Sequence, residues 1–224
     1  MSTDRSNMSA KNKPKLRART DDEKAQRKQS IVDALAFLLN DSEQVPSAMD
    51  IAKQANVSKG VIYQYFSSRE EIFLTLLMQL SEPIELLSKN PIEKIEDIQK
   101  VIIDYFCENP LFMRLSIMAP IVLEENINEN FIRQFKIAAG EIIDELAKLI
   151  MPICKQDILH CRNFINSFYQ LSLMKWQYCH PPQSVKNAFK DHDFWLTRFD
   201  LETELNLAFD WLYKGMISSL KSTE

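Results

Sequence analysis

The chain has 224 residues, 46% hydrophobic and 26% charged, a globular composition long enough to bury roughly 70% of the unfolded surface. With 3 Gly, and 9 Pro that fall mostly between apolar-periodic segments, it has little material for phosphate loops or sheet turns, so an all-α architecture is expected. The net charge of -4 divides unevenly: residues 1–70 hold 12 basic against 9 acidic side chains and the remainder 15 against 22, a basic end suited to local phosphate contact on an acidic body.

The first residues carry charge and no apolar leader, and no later stretch nears the roughly 20 apolar residues of a spanning helix, so a cytoplasmic protein is expected. Cys107, Cys154, Cys161 and Cys179 then read as free, buried thiols in apolar helices.

Residues 1–19 read as a flexible basic arm in which Lys11, Lys13, Lys15, Arg17 and Arg19 alternate. Such a segment is either a solvated tail or an arm that touches the DNA backbone or minor groove. Thr20 and Glu23 form a capping box for a first helix that buries Ile31, Ala34, Leu35, Leu38 and Leu39 on one face. Ser47 and Asp50 form a second box, opening a helix that buries the small face Ala48, Ile51, Ala52 and Ala55. Asn56 follows where the chain must reverse, a position that favours residues tolerant of the left-handed conformation. Ser58 caps the next helix, with Val57, Val61, Ile62 and Phe66 turned inward and Lys59, Gly60, Tyr63, Gln64 and Tyr65 divided between packing and solvent. Two short helices and a sharp turn over residues 47–66 make a helix-turn-helix, whose second helix suits a DNA major groove.

Ser68 and Glu71 form a third box and start a long helix through Phe73, Leu76, Leu77 and Leu80, which Pro83 is expected to bend or restart. Beyond residue 90, Asn90-Pro91, Asn109-Pro110, Pro120, Asn128, Pro152 and Pro181-Pro182 divide the chain into helical pieces of about 15 to 25 residues. Residues 161–178 carry an apolar stripe with Phe164, Phe168, Leu171 and Trp176. In the last piece, capped by Asp200, Leu201, Leu205, Ala208, Phe209, Leu212 and Met216 form another.

The order Asp-Ile-Ala-Lys-Gln-Ala, Val-Ser-Lys-Gly, Ile-Tyr-Gln-Tyr-Phe and Ser-Ser-Arg-Glu-Glu-Ile-Phe resembles the N-terminal DNA-binding domain of the tetracycline-repressor (TetR) family over about residues 27–80. The resemblance implies a homodimer, most often a repressor, whose C-terminal domain holds a small-molecule pocket and a four-helix dimer interface. It implies Ser47, Ser58, Tyr63 and Arg69 as phosphate contacts and Lys59, Gly60, Gln64 and Tyr65 as contacts near the bases. These roles suit the chemistry: hydroxyls and helix N-termini meet phosphate, glycine lets backbone approach, and Gln64 can pair bidentately with adenine. The plain alternatives are Tyr63 packed on Ile31 or Leu35, and Lys59 and Arg69 as solvated charges. Met49 stands where many relatives carry a polar or basic residue, and Asn56 where Gly is usual.

The expected organisation is therefore a basic arm (1–19), a helix-turn-helix domain (20–67), a connecting helix (68–90) and a helical ligand-binding and dimerisation domain (91–224), pairing through residues 161–178 and 200–220. Aromatic and Met residues crowd residues 105–176. Most belong to core, and Phe112, Met113, Met118, Phe131, Phe135, Phe168 and Trp176 are candidates for a pocket that takes an apolar or lipophilic effector. Arg114 or Arg162 would pair with a carboxylate or phosphate on that ligand.

Cys154, His160, Cys161, Cys179 and His180 lack the Cys-x-x-Cys spacing of a zinc site, and Asp157 with His160 lacks the second such pair of a di-iron site, so neither metal nor cofactor is expected. Glu124-Glu125 and Asp144-Glu145 read as solvated helix faces and no nucleophile motif is present, so an enzyme is not expected. The function expected is a ligand-responsive DNA-binding transcriptional regulator on a near-palindromic operator; the alternative is a helical ligand-binding or adaptor protein whose head packs on a protein partner.

Overall fold

The computed structural model describes residues 13–85, 92–125, 127–191 and 198–218, with backbone alone for residues 13–20 and 82–85. Lys11, the side chains of Lys13, Lys15, Arg17 and Arg19, the Asn90-Pro91 break, the far end of the connecting helix and residues 219–220 lie outside that description. Among the described residues the regular structure is entirely helical. The chain forms two compact units that meet in sequence between Ile72 and Phe73.

The first unit contains α1 (Lys13–Asp41), α2 (Ala48–Gln54), α3 (Lys59–Tyr65) and the first turn of α4 (Arg69–Glu85). Here α1 starts at Lys13, upstream of the expected Thr20 cap. Ala, Leu, Lys, Arg and Gln dominate that stretch, and Pro14 is tolerated in a first turn, so helix propensity carries straight through Thr20. Ile31, Val32, Ala34, Leu35 and Leu39 of α1 are buried with Ala48, Ile51 and Ala52 of α2, and with Ile62, Phe66 and Ile72. Leu38 is only half-buried, its expected place on the buried face taken by Val32.

The second unit contains the rest of α4, then α5 (Ile95–Glu108), α6 (Pro110–Met118), a π-helical turn (Ala119–Leu123), α7 (Glu129–Cys154), α8 (Ile158–Cys179), α9 (Gln183–Ala188) and α10 (Leu201–Ser218). α8 packs between α7 and α10, and α5 against α10 and α7. Phe209 of α10 meets both Phe164 and Phe168 edge-on at 5.0 Å, an aromatic arrangement favoured by the ring quadrupoles.

Proline punctuates less sharply than expected. Pro120 sits in the π turn, closed by the Glu124 amide donating to the Ala119 carbonyl at 3.1 Å, and Pro152 lies inside α7 near its end. So close to a helix terminus, Pro152 sacrifices little of the hydrogen-bond ladder. The real stop is Lys155, left-handed at φ 53, after which Asp157 caps α8. Asp200 caps α10 as the sequence predicts, accepting from the Thr203 amide at 2.9 Å.

Candidate functional site

The helix-turn-helix is built from local hydrogen bonds that the sequence spells out. At the start of α2 the Ser47 amide and hydroxyl both donate to Asp50 Oδ2, at 2.8 and 2.6 Å, and the Asp50 amide returns a bond to Ser47 Oγ at 3.3 Å. At its end Asn56 takes φ 54, the Val57 amide donates to the Ala52 carbonyl at 2.9 Å, and the Asn56 amide to the Lys53 carbonyl at 3.1 Å. That bond pair is a Schellman turn, here with Asn in the position glycine usually fills. Two residues later Ser58 caps α3, accepting from the Val61 amide at 3.3 Å.

This turn leaves Ser47, Ser58, Lys59, Gly60, Tyr63 and Gln64 exposed and Tyr65 half-buried. Tyr63 keeps 48% of its surface, and Lys59 Nζ lies 5.9 Å from its ring centroid. Gly60 has an ordinary negative φ, and a Cβ there would come no nearer than 3.8 Å to Ser58 Oγ, so nothing inside the head requires glycine. Met49 is exposed, offering an apolar side chain on α2 beside these groups.

Arg69 is half-buried and its guanidinium pairs with Glu70, with Nε at 3.0 Å and an Nη at 2.8 Å, so a phosphate has to compete for it. Ser68 caps α4 by accepting from the Glu71 amide at 3.2 Å, whereas the Glu71 carboxylate bonds Ser67 in place of the expected Ser68 backbone. A shallow groove brings Lys24 and Lys28 of α1 together with Gln64 and Tyr65 of α3. Those two lysines are absent from the sequence-derived site because their spacing on α1 carries no motif; only the crossing of the helices puts them beside α3.

In the second unit a cavity of about 360 Å³ lies among α4, α5, α6, α7 and α8. Six aromatic rings wall it: Tyr105, Phe106, Phe112, Phe135, Phe168 and Tyr169. Of the sequence-derived candidates, Phe112, Phe135 and Phe168 line it, while Met113, Met118, Phe131 and Trp176 do not. Met113 follows Phe112 by about 100° of helix rotation and is fully buried in the core. Trp176 lies about 12 Å along α8 from Phe168 and stacks on His180 at 4.4 Å. Met118 and Phe131 are half-buried, one at the end of α6 and the other a turn before Phe135. Tyr105, Ala138 and Ala139 also line it, without any sign in the sequence.

The arginine expectation is corrected as well: neither Arg114 nor Arg162 lines the cavity, and Arg162 forks onto Asp144 at 2.6 and 2.8 Å. Lys136 pairs with Glu124 at 2.6 Å and Lys148 with Glu145 at 2.7 Å, so the acidic pairs serve ion pairs. Burial pushes the Tyr105 phenol up to about 12, and its hydroxyl donates to the Leu80 carbonyl.

The thiols are all free, but only Cys154 and Cys161 are buried; Cys179 is half-buried and Cys107 exposed, contrary to the expectation of four buried thiols. Burial first, then neighbouring Cys154 and Asp157, pushes the Cys161 thiol up to about 11. Asp157 is occupied as a helix cap, accepting from the His160 amide and meeting its Nδ1, each at 2.9 Å. Among the described residues no cluster of three or more metal-binding side chains forms. No single described helix is long and apolar enough to cross a membrane.

A hydroxyl-capped helix-turn-helix followed by a separate helical unit with an apolar cavity is the architecture of one class of helix-turn-helix transcriptional regulators. Residues 47–76 match the family described as bacterial regulatory proteins, tetR family, and residues 75–219 match the tetracyclin repressor-like C-terminal domain. The chain belongs to the TetR family and is a DNA-binding transcriptional regulator. Among solved structures it resembles a Mesorhizobium loti chain provisionally described as a TetR-family transcriptional regulator, with TM-score 0.53 and 14% identity over 88% of this chain and 97% of that one. At that identity the likeness establishes a shared fold. No curated protein matches the sequence significantly.

Proposed function

We propose that the protein is a cytoplasmic, ligand-responsive repressor that binds a near-palindromic operator as a homodimer. One observation carries the ligand response: α4 begins in the reading head with Arg69 and contributes Leu77, Met78 and Ser81 to the cavity wall. A ligand that alters the packing of those three side chains acts on the same helix that carries the head. Ser47, Ser58, Tyr63 and Arg69 hold the phosphates, and Lys59, Gly60, Gln64 and Tyr65 face the base edges. Two copies pair through α8 and α10, setting the recognition helices about 34–36 Å apart, one turn of DNA. The effector is apolar, occupies the cavity, and favours a head spacing that misfits the operator, which requires different affinities for the two states.

Footprinting of the DNA flanking the protein's own coding sequence tests this directly. The expected result is a protected near-palindrome whose occupancy falls when the effector is added. A footprint without two-fold symmetry overturns the dimeric reading, and a cavity ligand that leaves operator affinity unchanged overturns the ligand response.

A further inference from the structure

Every residue lining the cavity is aliphatic, aromatic, a thioether or a hydroxyl; no acid, base or amide side chain reaches it among the described residues. A charged ligand entering such a space would lose its hydration with nothing to pair it, a penalty of several kcal/mol per ion even after relaxation. At about 360 Å³ the space also stands at the small end of the roughly 300–1,000 Å³ typical of ligand sites.

The rings are arranged rather than merely crowded. Phe106 stacks on Phe112 at 6.0 Å and 11° and on Phe168 at 6.2 Å, while Tyr105 meets Phe112 edge-on at 5.3 Å and 67°. Faces and edges of this kind receive another planar ring through the same quadrupole terms.

The polar groups in the wall are nearly all spent. Ser81 Oγ donates to the Leu77 carbonyl at 2.8 Å, and the Tyr105 hydroxyl is bound to Leu80. At Tyr169 the situation differs. Ser116, on α6, is 2% exposed and its Oγ has no partner at full hydrogen-bonding geometry. A weak side-chain hydrogen bond between the two, short of full hydrogen-bonding geometry, lowers the Tyr169 phenol against the larger upward push of burial. A buried hydroxyl short of a well-made hydrogen bond is destabilising, and a ligand group that draws Tyr169 and Ser116 into one chain of hydrogen bonds would relieve that.

We infer that the effector is an uncharged, ring-containing molecule with a single hydrogen-bonding group, seated among the six aromatic rings with that group on the Tyr169 hydroxyl and, through it, on Ser116. This rests on the cavity being the effector site. The closest competitor is an aromatic cation, which rings attract. No carboxylate lines the wall to stabilise it, and nearby Glu124 is already paired with Lys136.

Calorimetric titration of the full chain with four matched probes, naphthalene, naphthol, naphthoate and naphthyl-trimethylammonium, separates these chemistries. Naphthol should bind about tenfold tighter than naphthalene, the worth of one well-made hydrogen bond, and both charged probes should bind more weakly than naphthalene. Tyr169→Phe should bring the naphthol-to-naphthalene ratio to about one, and Ser116→Ala should lower it. Either charged probe matching naphthol, or a ratio unmoved by Tyr169→Phe, overturns the inference. Ala139→Trp and Ala138→Phe, which fill the cavity, locate the site independently. If a charged probe wins and both blocking variants abolish it, the cavity remains the effector site and only the ligand class is wrong. Binding that survives both blocking variants, or no binding of any probe to the native chain, overturns the effector cavity and the ligand class together.

Discussion

Tyr63 and Gln64 are neighbours on α3 with different expected roles on DNA. Tyr63 is half in solvent with Lys59 above its ring, which leaves its hydroxyl free to reach a phosphate. Tyr63→Phe should therefore weaken operator and non-operator binding alike, measured by anisotropy at fixed salt; unchanged affinity would remove the phosphate role. Gln64 is exposed beside Lys24 and Lys28, and its amide suits adenine. Gln64→Ala should erode the ratio of specific to non-specific affinity by about 1–3 kcal/mol for each lost base contact. A uniform loss across sequences would show that it reads no base. At this scale much of the head is legible in the chain, because a cap or an Asn at a reversal acts within four residues. The Arg69–Glu70 pair is not legible as such, since nothing in the sequence decides whether a guanidinium turns to a neighbouring acid or to DNA.

Helix α3 holds Gly60 in a backbone conformation any residue adopts, where a Cβ would meet only Ser58 Oγ at an ordinary 3.8 Å contact. Glycine in a helix costs about 1 kcal/mol relative to alanine, so Gly60→Ala should raise the melting midpoint. If backbone approaches DNA there, the same variant should lose operator affinity; a gain in stability with unchanged affinity would argue against close approach. The helix caps also predict an acid response. Asp50 is held below its usual 3.8 by hydrogen bonds from Ser47, Asp157 by bonds from His160, and Asp200 by bonds from Thr203. Depressed carboxyl values stabilise the fold fully above the unfolded pKa and lose that contribution as pH falls through the folded values. Helicity followed by circular dichroism should thus hold down to about pH 4 as far as these caps are concerned, then fall. Asp50→Asn, which removes one of them, should flatten the acid limb; an unchanged limb would exclude that cap as a cause. The boundaries of α1 and α7 show where element-level reading stops. Thr20, a local start signal, and Pro152, a local stop signal, are both overridden because the sequence around them continues the helix.

For the whole molecule, the exposed apolar pairs on two helices matter most. Leu207 and Trp211 on α10, and Met174 and Tyr178 on α8, are each spaced four residues apart and exposed, with Trp211 at 63%. Large apolar side chains left in water on adjacent packed helices suit a subunit interface. If two copies pair there as proposed, Trp211→Glu should give a monomer by sedimentation and sharply weaken operator binding; a dimer that survives would place the interface elsewhere.

The sequence alone determined the all-helical class, the helix-turn-helix and its Ser47 and Ser58 caps, because helix periodicity and capping chemistry are encoded over a few residues. It also carried the family resemblance, which rests on the same compact stretch. Only the tertiary structure decided which aromatics enclose the cavity and which fill the core. Phe112 and Met113 are adjacent in the chain, yet one faces the cavity and the other is sealed in the core. That choice is made by how α6 is rotated against α5 and α8, a long-range packing outcome that no local pattern records.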